Sequence, residues 1–161
     1  MRLIAMKALA LVISALSLGP SLAHAMEAYP RLAIWAPELW RETTVFNAQF
    51  LLFLIVGAPF DVLAILVPGA LTFLLRGRRP GFSLALAGTV GFALALAIWF
   101  AIVAPANAVL ATWTPGAIPE NFAAIRLRWE TGHIVIAAVK LAAFALIALA
   151  CVWPSEAKSR A

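Results

Sequence analysis

The chain has 161 residues, of which 65% are hydrophobic and only 12% charged, and its mean hydropathy is +1.00. A soluble domain is roughly half apolar and about a quarter charged, so this chain lacks the polar surface to cover a water-facing globule, and its length allows a single domain. The net charge of +5 comes from basic residues scattered at the ends of apolar runs, without a basic face or nucleic-acid motif, so the composition argues for membrane lipid and against nucleic acid as a partner.

A membrane helix needs about 20 mainly apolar residues, because ~1.5 Å per residue must cross ~30 Å of hydrocarbon. Four stretches qualify: residues 3–23, 50–75, 82–104 and 134–152. The first has two readings. Arg2 and Lys7, the break at Gly19 and Pro20, and the small-x-small Ala23, His24, Ala25 suit a signal peptide cleaved after Ala25. Retained, the same residues form a first membrane helix. The second span holds Asp61 as its only charge, together with Pro59 and Pro68. Prolines are tolerated in membrane helices where neighbouring groups re-satisfy the freed carbonyls, and a bend is expected near 57–59. The connection 76–80 carries Arg76, Arg78 and Arg79. The third span has no charge. An outer loop with a helical extension fills 105–133, and the fourth span holds Lys140 alone.

Three arginines in one short loop mark it as cytoplasmic. Arg2 and Lys7, and Lys158 and Arg160 at the other end, then fall on the same side. The opposite side holds Arg31, Arg41, Arg126 and Arg128, diluted by glutamates, and Trp35, Trp40, Trp113 and Trp129. Amphipathic aromatics of this kind gather at membrane interfaces. The predicted fold is an all-α, polytopic membrane four-helix bundle with both ends inside, a multi-pass protein of the inner (plasma) membrane. Cys151 is the only cysteine, so no intrachain disulfide forms, and a lone thiol is usually a small buried side chain.

Ionisable groups in or beside membrane spans are functional candidates, because burying them in hydrocarbon is costly. Successive helical residues turn by ~100°. If a helix starts near Pro119 and runs into the fourth span, Arg126, Glu130, His133 and Lys140 fall within roughly 80° of one another. They make a polar stripe descending into the bilayer, with Arg128 and Trp129 outside it. The plain reading of Arg126 and Glu130 is a solvated pair one turn apart. His24 and Glu27 also share a face if the first helix continues past its span. The two helices are antiparallel, so the mirrored order would put histidines beside histidines and glutamates beside glutamates. Paired Glu and His on facing helices is how carboxylate-bridged metal sites are built, and such ligands suit iron, zinc or copper. A metal held by His24, Glu27, Glu130 and His133 stands beside a hydrogen-bonded cluster without metal. Bis-histidine haem is disfavoured at the very edge of the bilayer. Asp61 and Lys140 lie at comparable depth, so either they pair or each faces a wet cavity. No nucleotide-binding motif appears, and no cofactor is assigned.

The segment Pro105, Asn107, Trp113, Pro119, Glu120, Asn121, Phe122, Arg126, Trp129, Glu130, His133 resembles the small four-helix membrane proteins of the anthrone oxygenase-like family, as does Ala23, His24, Glu27, Tyr29, Pro30 near the first span. The resemblance covers most of the chain and is firmest from 105 to 133. It implies that the first helix is retained. It also implies oxygenation of anthrones to anthraquinones without a known dedicated cofactor. A basic residue is expected one turn after the histidine; this chain has Ile136 there, and its next basic residue is Lys140.

Two functions are therefore carried forward. In the first, an oxidoreductase acts on a hydrophobic aromatic or polyketide-like small molecule entering from lipid. His133 or His24 takes a proton, Glu27 or Glu130 orients it, Arg126 and Asn107 stabilise the oxyanion, and Trp113 and Trp129 wall the substrate. In the second, the protein is a non-catalytic binding or accessory subunit whose polar cluster only locks helix packing. The sequence assigns no oligomeric state.

Overall fold

The computed structural model describes residues 1–47 and 49–153, so Lys158 and Arg160 lie outside the described residues. The order is α1 (Arg2–Ala33), a short α2 (Pro37–Arg41) running into a π-helical turn (Glu42–Phe46), α3 (Gln49–Leu74), α4 (Gly81–Ile98), a second π-helical turn (Trp99–Val103) leading into α5 (Ala104–Leu110), and α6 (Phe122–Val152). Four helices are long and apolar enough to cross a membrane. The fold is an all-α bundle, and the chain is a multi-pass membrane protein.

The four long helices form a ring in which each packs against its two antiparallel neighbours: α1 on α3 and α6, and α4 on α3 and α6. The reason is legible along α1 and α6. The inward row of α1 is Ala10, Ser14, Ser17, Ser21, His24, Ala28 and Arg31, spaced alternately four and three. On α6 the row is Phe122, Arg126, Trp129, His133, Ile136, Lys140, Ala143, Ile147 and Ala150, with the same alternation. A 4–3 spacing keeps one seam of a helix facing its neighbour along its length. Large apolar side chains such as Val12, Leu66, Val90 and Leu141 point outward, which suits lipid contact.

Small residues set how closely α4 and α6 approach. A Cβ on Gly88 would stand 2.6 Å from Ile147 Cδ1 and 2.9 Å from the Ala143 carbonyl oxygen, and one on Gly91 would stand 2.8 Å from Ala143 Cβ. Membrane helices gain little from the hydrophobic effect against one another, so close backbone packing of this kind supplies much of their association. At the end of the bundle where α1 begins, Lys7 Nζ donates to the Cys151 carbonyl at 2.7 Å, tying α1 to the end of α6.

Helix ends differ from the expected spans in physically informative ways. α1 continues ten residues past Ala23, through Pro30, because its inward row continues through His24 and Arg31. α6 begins at Phe122, with Pro119 in the preceding turn, where the Phe122 amide donates to the Pro119 carbonyl at 3.0 Å. α3 runs through both Pro59 and Pro68 as one helix. Trp40, Trp113 and Trp129 do not sit at the interface facing headgroups. They are buried, with Trp40 edge-on to Phe122 and to Trp129, and form an aromatic core beneath the loops.

Candidate functional site

Four polar side chains that the sequence placed on one stripe of α6 all turn into the bundle. Arg126, Glu130 and Lys140 are buried, and His133 is half-buried against a cavity. Trp129, just beyond the stripe's edge, is inside as well. The internal face of α6 is wider than the polar stripe because α1 and α4 both pack on it.

His24 and His133 meet where α1 and α6 cross this level. Their rings stack with centroids 4.4 Å apart and planes 27° from parallel. Trp129 closes on both, at 4.9 Å from the His24 ring and 4.3 Å from the His133 ring, and Phe53 of α3 stands edge-on to His24 at 4.7 Å. His24 Nε2 is buried without a hydrogen-bond partner. His133 makes no hydrogen bond to any described side chain, so its edge is left to the cavity.

The glutamates go elsewhere. Arg31, which the sequence reading treated only as an outer-loop charge, lies 2% exposed and gathers both of them. Its Nε donates to Glu130 Oε1 at 3.1 Å, its Nη1 to Glu27 Oε2 at 3.2 Å and its Nη2 to Thr44 Oγ1 at 2.6 Å. Trp40 Nε1 donates to the same Glu130 oxygen at 2.6 Å. Glu27 is half-exposed and Glu130 fully buried. Among the described residues no group of three or more His, Cys, Asp or Glu side chains is gathered to hold a metal. The arrangement expected of His24, Glu27, Glu130 and His133 does not assemble, because a buried guanidinium outcompetes neutral imidazole for the two carboxylates.

Arg126 is also engaged. Its guanidinium donates to the carbonyls of Arg31 and Leu32, in the last turn of α1, and of Trp35 just past it, at a helix C-terminus where a cation is favoured. Asn107 remains at the cavity: its Oδ1 accepts from Trp129 Nε1 at 2.8 Å, which turns the amide nitrogen away from that bond. Trp113 does not reach the cavity and packs on Phe122, with centroids 5.7 Å apart.

The cavity has a volume of about 400 Å³, within the ~300–1,000 Å³ typical of small-molecule sites. Near the loops it is bordered by Arg31, Thr44 and Asn107, at its waist by His24, His133, Phe53, Trp99 and Trp129, and at its deep end by Ser17, Ser21, Asp61 and Lys140. From Trp129 to Lys140 it follows α6 for about 16 Å at the helical rise. Val62 of α3 and Phe100 beyond α4 both line it, yet they are 48% and 62% exposed on the outer surface of the bundle. The cavity therefore opens sideways between α3 and α4. Nearer the arginine-rich loop that joins them those helices close up, with Thr72 Oγ1 and Thr89 Oγ1 3.4 Å apart.

Both sequence readings of Asp61 and Lys140 hold together. They pair at 2.6 Å, and both face the cavity. Ser17 Oγ donates to the same Asp61 oxygen at 2.7 Å, and Lys140 Nζ also reaches Ser21 Oγ at 2.9 Å and the Ser17 carbonyl at 3.3 Å. The serines were missed as site residues. The 4–3 spacing that carries them was their signal.

The fold and site define a class: a multi-pass helical membrane protein with an aromatic- and histidine-lined cavity whose wall includes residues exposed on the outer surface of the bundle. Comparison with family models, with curated proteins and with solved structures finds no match.

Proposed function

We propose that this protein oxidises a flat hydrophobic aromatic molecule taken from the bilayer, as its resemblance to the anthrone oxygenase-like family implies. One observation carries the reading. His133 presents an imidazole without a hydrogen-bond partner among the described residues to a largely apolar cavity that reaches the lipid-facing surface of the bundle. Such a base has no ion-pair duty to perform, and it sits where a lipid-soluble substrate arrives.

The chemistry needs little else. His133 accepts a proton from a C–H flanked by aromatic rings and conjugated with a carbonyl. The electron pair left behind delocalises onto the carbonyl oxygen, and the Asn107 amide donates to that oxygen. Dioxygen, which partitions into apolar surroundings, accepts the electrons at carbon and forms a hydroperoxide with the returned proton. Loss of water leaves a new ketone, so an anthrone and dioxygen give an anthraquinone and water. His24 is a positioning residue that holds the His133 ring by stacking. Arg126, Glu27 and Glu130 are engaged within the protein and take structural parts, a division that the buried Arg31 network favours. The outer side of the plasma membrane is the proposed face for the loops above the cavity.

The test is oxygen uptake by the purified protein in lipid nanodiscs supplied with anthrone, against empty nanodiscs. Uptake above the uncatalysed rate that disappears in His133→Ala is expected. A wild-type rate equal to that of empty nanodiscs leaves the non-catalytic binding role, in which the same cavity only carries its ligand.

A further inference from the structure

The deep end of the cavity carries more polar equipment than base chemistry at His133 requires. Asp61 lies 12 residues into α3 and Lys140 12 residues before the end of α6, each about 18 Å from its helix terminus, so both sit near the bilayer midplane. A charge pair there is costly unless every donor and acceptor is satisfied. Lys140 meets that condition: an ammonium has three donors, and Asp61, Ser21 and the Ser17 carbonyl take all of them.

Asp61 and Ser21 do not. Both the Ser17 hydroxyl and the Lys140 ammonium bond Asp61 Oδ1. Oδ2 accepts from no described side chain, although Asp61 is only 20% exposed and lines the cavity. Ser21 Oγ accepts from Lys140, and its own hydrogen is donated to no described residue. Among the described residues the cavity floor thus presents an unoccupied acceptor and an unoccupied donor, on two groups that both bond Lys140 Nζ. A hydroxyl group, which donates once and accepts, satisfies both. A carbonyl meets only the serine, and an unsubstituted ring meets neither.

We infer that Asp61 and Ser21 form a hydroxyl-recognition subsite for a phenolic ligand, whose ring system extends from them toward His133. Seven residues, two turns of α6, separate Lys140 from His133, about 10.5 Å, which suits two or three fused rings between the subsite and the imidazole. The inference rests on the ligand class proposed above but not on its oxidation. Discrimination should be steep, because a site built to hydrogen-bond a hydroxyl leaves buried polar groups unpaired when an analogue lacks it.

The experiment is quenching of tryptophan emission, Trp99 and Trp129 being cavity residues, by 2-hydroxyanthraquinone and by unsubstituted anthraquinone in nanodiscs. The wild type is expected to bind the hydroxylated probe at least tenfold more tightly. Ser21→Ala keeps the ion pair and should cut that ratio severalfold. Asp61→Asn combined with Lys140→Met removes both charges together and should bring the ratio to about one, with anthraquinone affinity unchanged. Equal binding of the two probes by the wild type overturns the subsite, as does a tenfold ratio that survives Ser21→Ala and the double variant. Should the double variant fail to insert, Ser21→Ala alone decides. Oxygen uptake without any hydroxyl preference removes the subsite and leaves the oxidation standing. Hydroxyl preference without oxygen uptake does the reverse.

Discussion

Arg31, near the end of α1, and Glu130, two turns into α6, meet at 3.1 Å with side chains 2% and 0% exposed, although 99 residues separate them. With Trp40 and Thr44 they join four elements of the loop-proximal half: α1, α2, the π-helical turn that follows it, and α6. Removing one partner of a buried pair leaves an uncompensated charge, a loss of roughly 3–5 kcal/mol. Arg31→Met should therefore lower stability by that order. Glu130→Gln keeps an acceptor for Trp40 and should cost less. The pair Arg31→Met with Glu130→Met should recover much of the loss, because neither member of the ion pair is then left buried without the other. Unfolding in mixed micelles, analysed as a double-mutant cycle, checks this; additive losses would mean that the two residues are not coupled.

Much of the fold was legible because burial in lipid leaves a strong trace in composition. Residues 82–104 without a charge admit few readings besides a membrane helix. The histidine pairing was legible only on the condition that the first and last helices are neighbours: spacing and antiparallel direction then put His24 and His133 at one level, and the packing of α1 on α6 supplies the condition. The partners of the glutamates did not follow. Arg31 lies beyond the apolar stretch of the first span, and a hydropathy criterion ends that helix at Ala23. Only the 4–3 recurrence from Ala10 to Arg31 reveals that it continues inward-facing. Arg126 finds its partners at the far end of α1, 91 to 95 residues away, and Trp113 lies in the 111–121 loop, where Arg41 bonds the carbonyls of Gly116 and Ala117 at 2.7 and 2.9 Å; neither long-range contact has a local signature.

Helix approach gives a second prediction. Gly88→Ala places a methyl against Ile147 and the backbone of Ala143, and overpacking of this kind costs about 1–3 kcal/mol. Gly57→Ala meets nothing within 4 Å and should be neutral or slightly stabilising, since alanine is the better helix former by ~1 kcal/mol. Thermal unfolding of the two variants side by side tests the contrast. Equal stability would place the α4 and α6 contact farther apart than described.

The first helix supplies Ser17, Ser21, His24 and Arg31 to the interior. A chain expressed from Met26 onward would leave Lys140 and Asp61 without their serine partners and open the α3 and α6 faces of the bundle. Such a chain should insert poorly or aggregate in detergent. Size-exclusion chromatography of the shortened and full chains distinguishes them, and a monodisperse, equally stable short form would mean that α1 is dispensable.

Orientation is testable independently of activity. In a Cys151→Ala background, Thr114→Cys lies in the loop above the cavity and Arg76→Cys beside the arginine-rich turn. Gly77 and Gly116 are avoided, as both have positive φ, at 80° and 136°, where a side chain is strained. An impermeant thiol reagent applied to intact cells should modify position 114 and spare position 76, because short loops rich in arginine favour the cytoplasmic side. The opposite pattern would invert the protein and put the cavity mouth nearer the cytoplasmic leaflet.

The last prediction separates histidine from carboxylate. His133 faces the cavity, whereas Glu27 is 54% exposed and, among the described residues, pairs with Arg31 alone. His133→Ala should reduce anthrone oxidation by about 10²–10⁴-fold, the usual contribution of a positioned general base, while the protein remains inserted with an unchanged helical spectrum. Glu27→Gln removes one exposed ion pair, worth at most ~1 kcal/mol, and leaves Arg31 bound to Glu130 and Thr44, so activity should stay within about twofold of wild type, a change of ~0.4 kcal/mol in barrier. His24→Phe keeps an aromatic face beside His133 without a second imidazole. If His24 acts by stacking, that variant retains most activity; if it exchanges protons with His133, the variant falls as far as His133→Ala. Rates of the three variants under one set of conditions therefore assign the base, and a Glu27→Gln loss as large as that of His133→Ala would return the carboxylate to the chemistry.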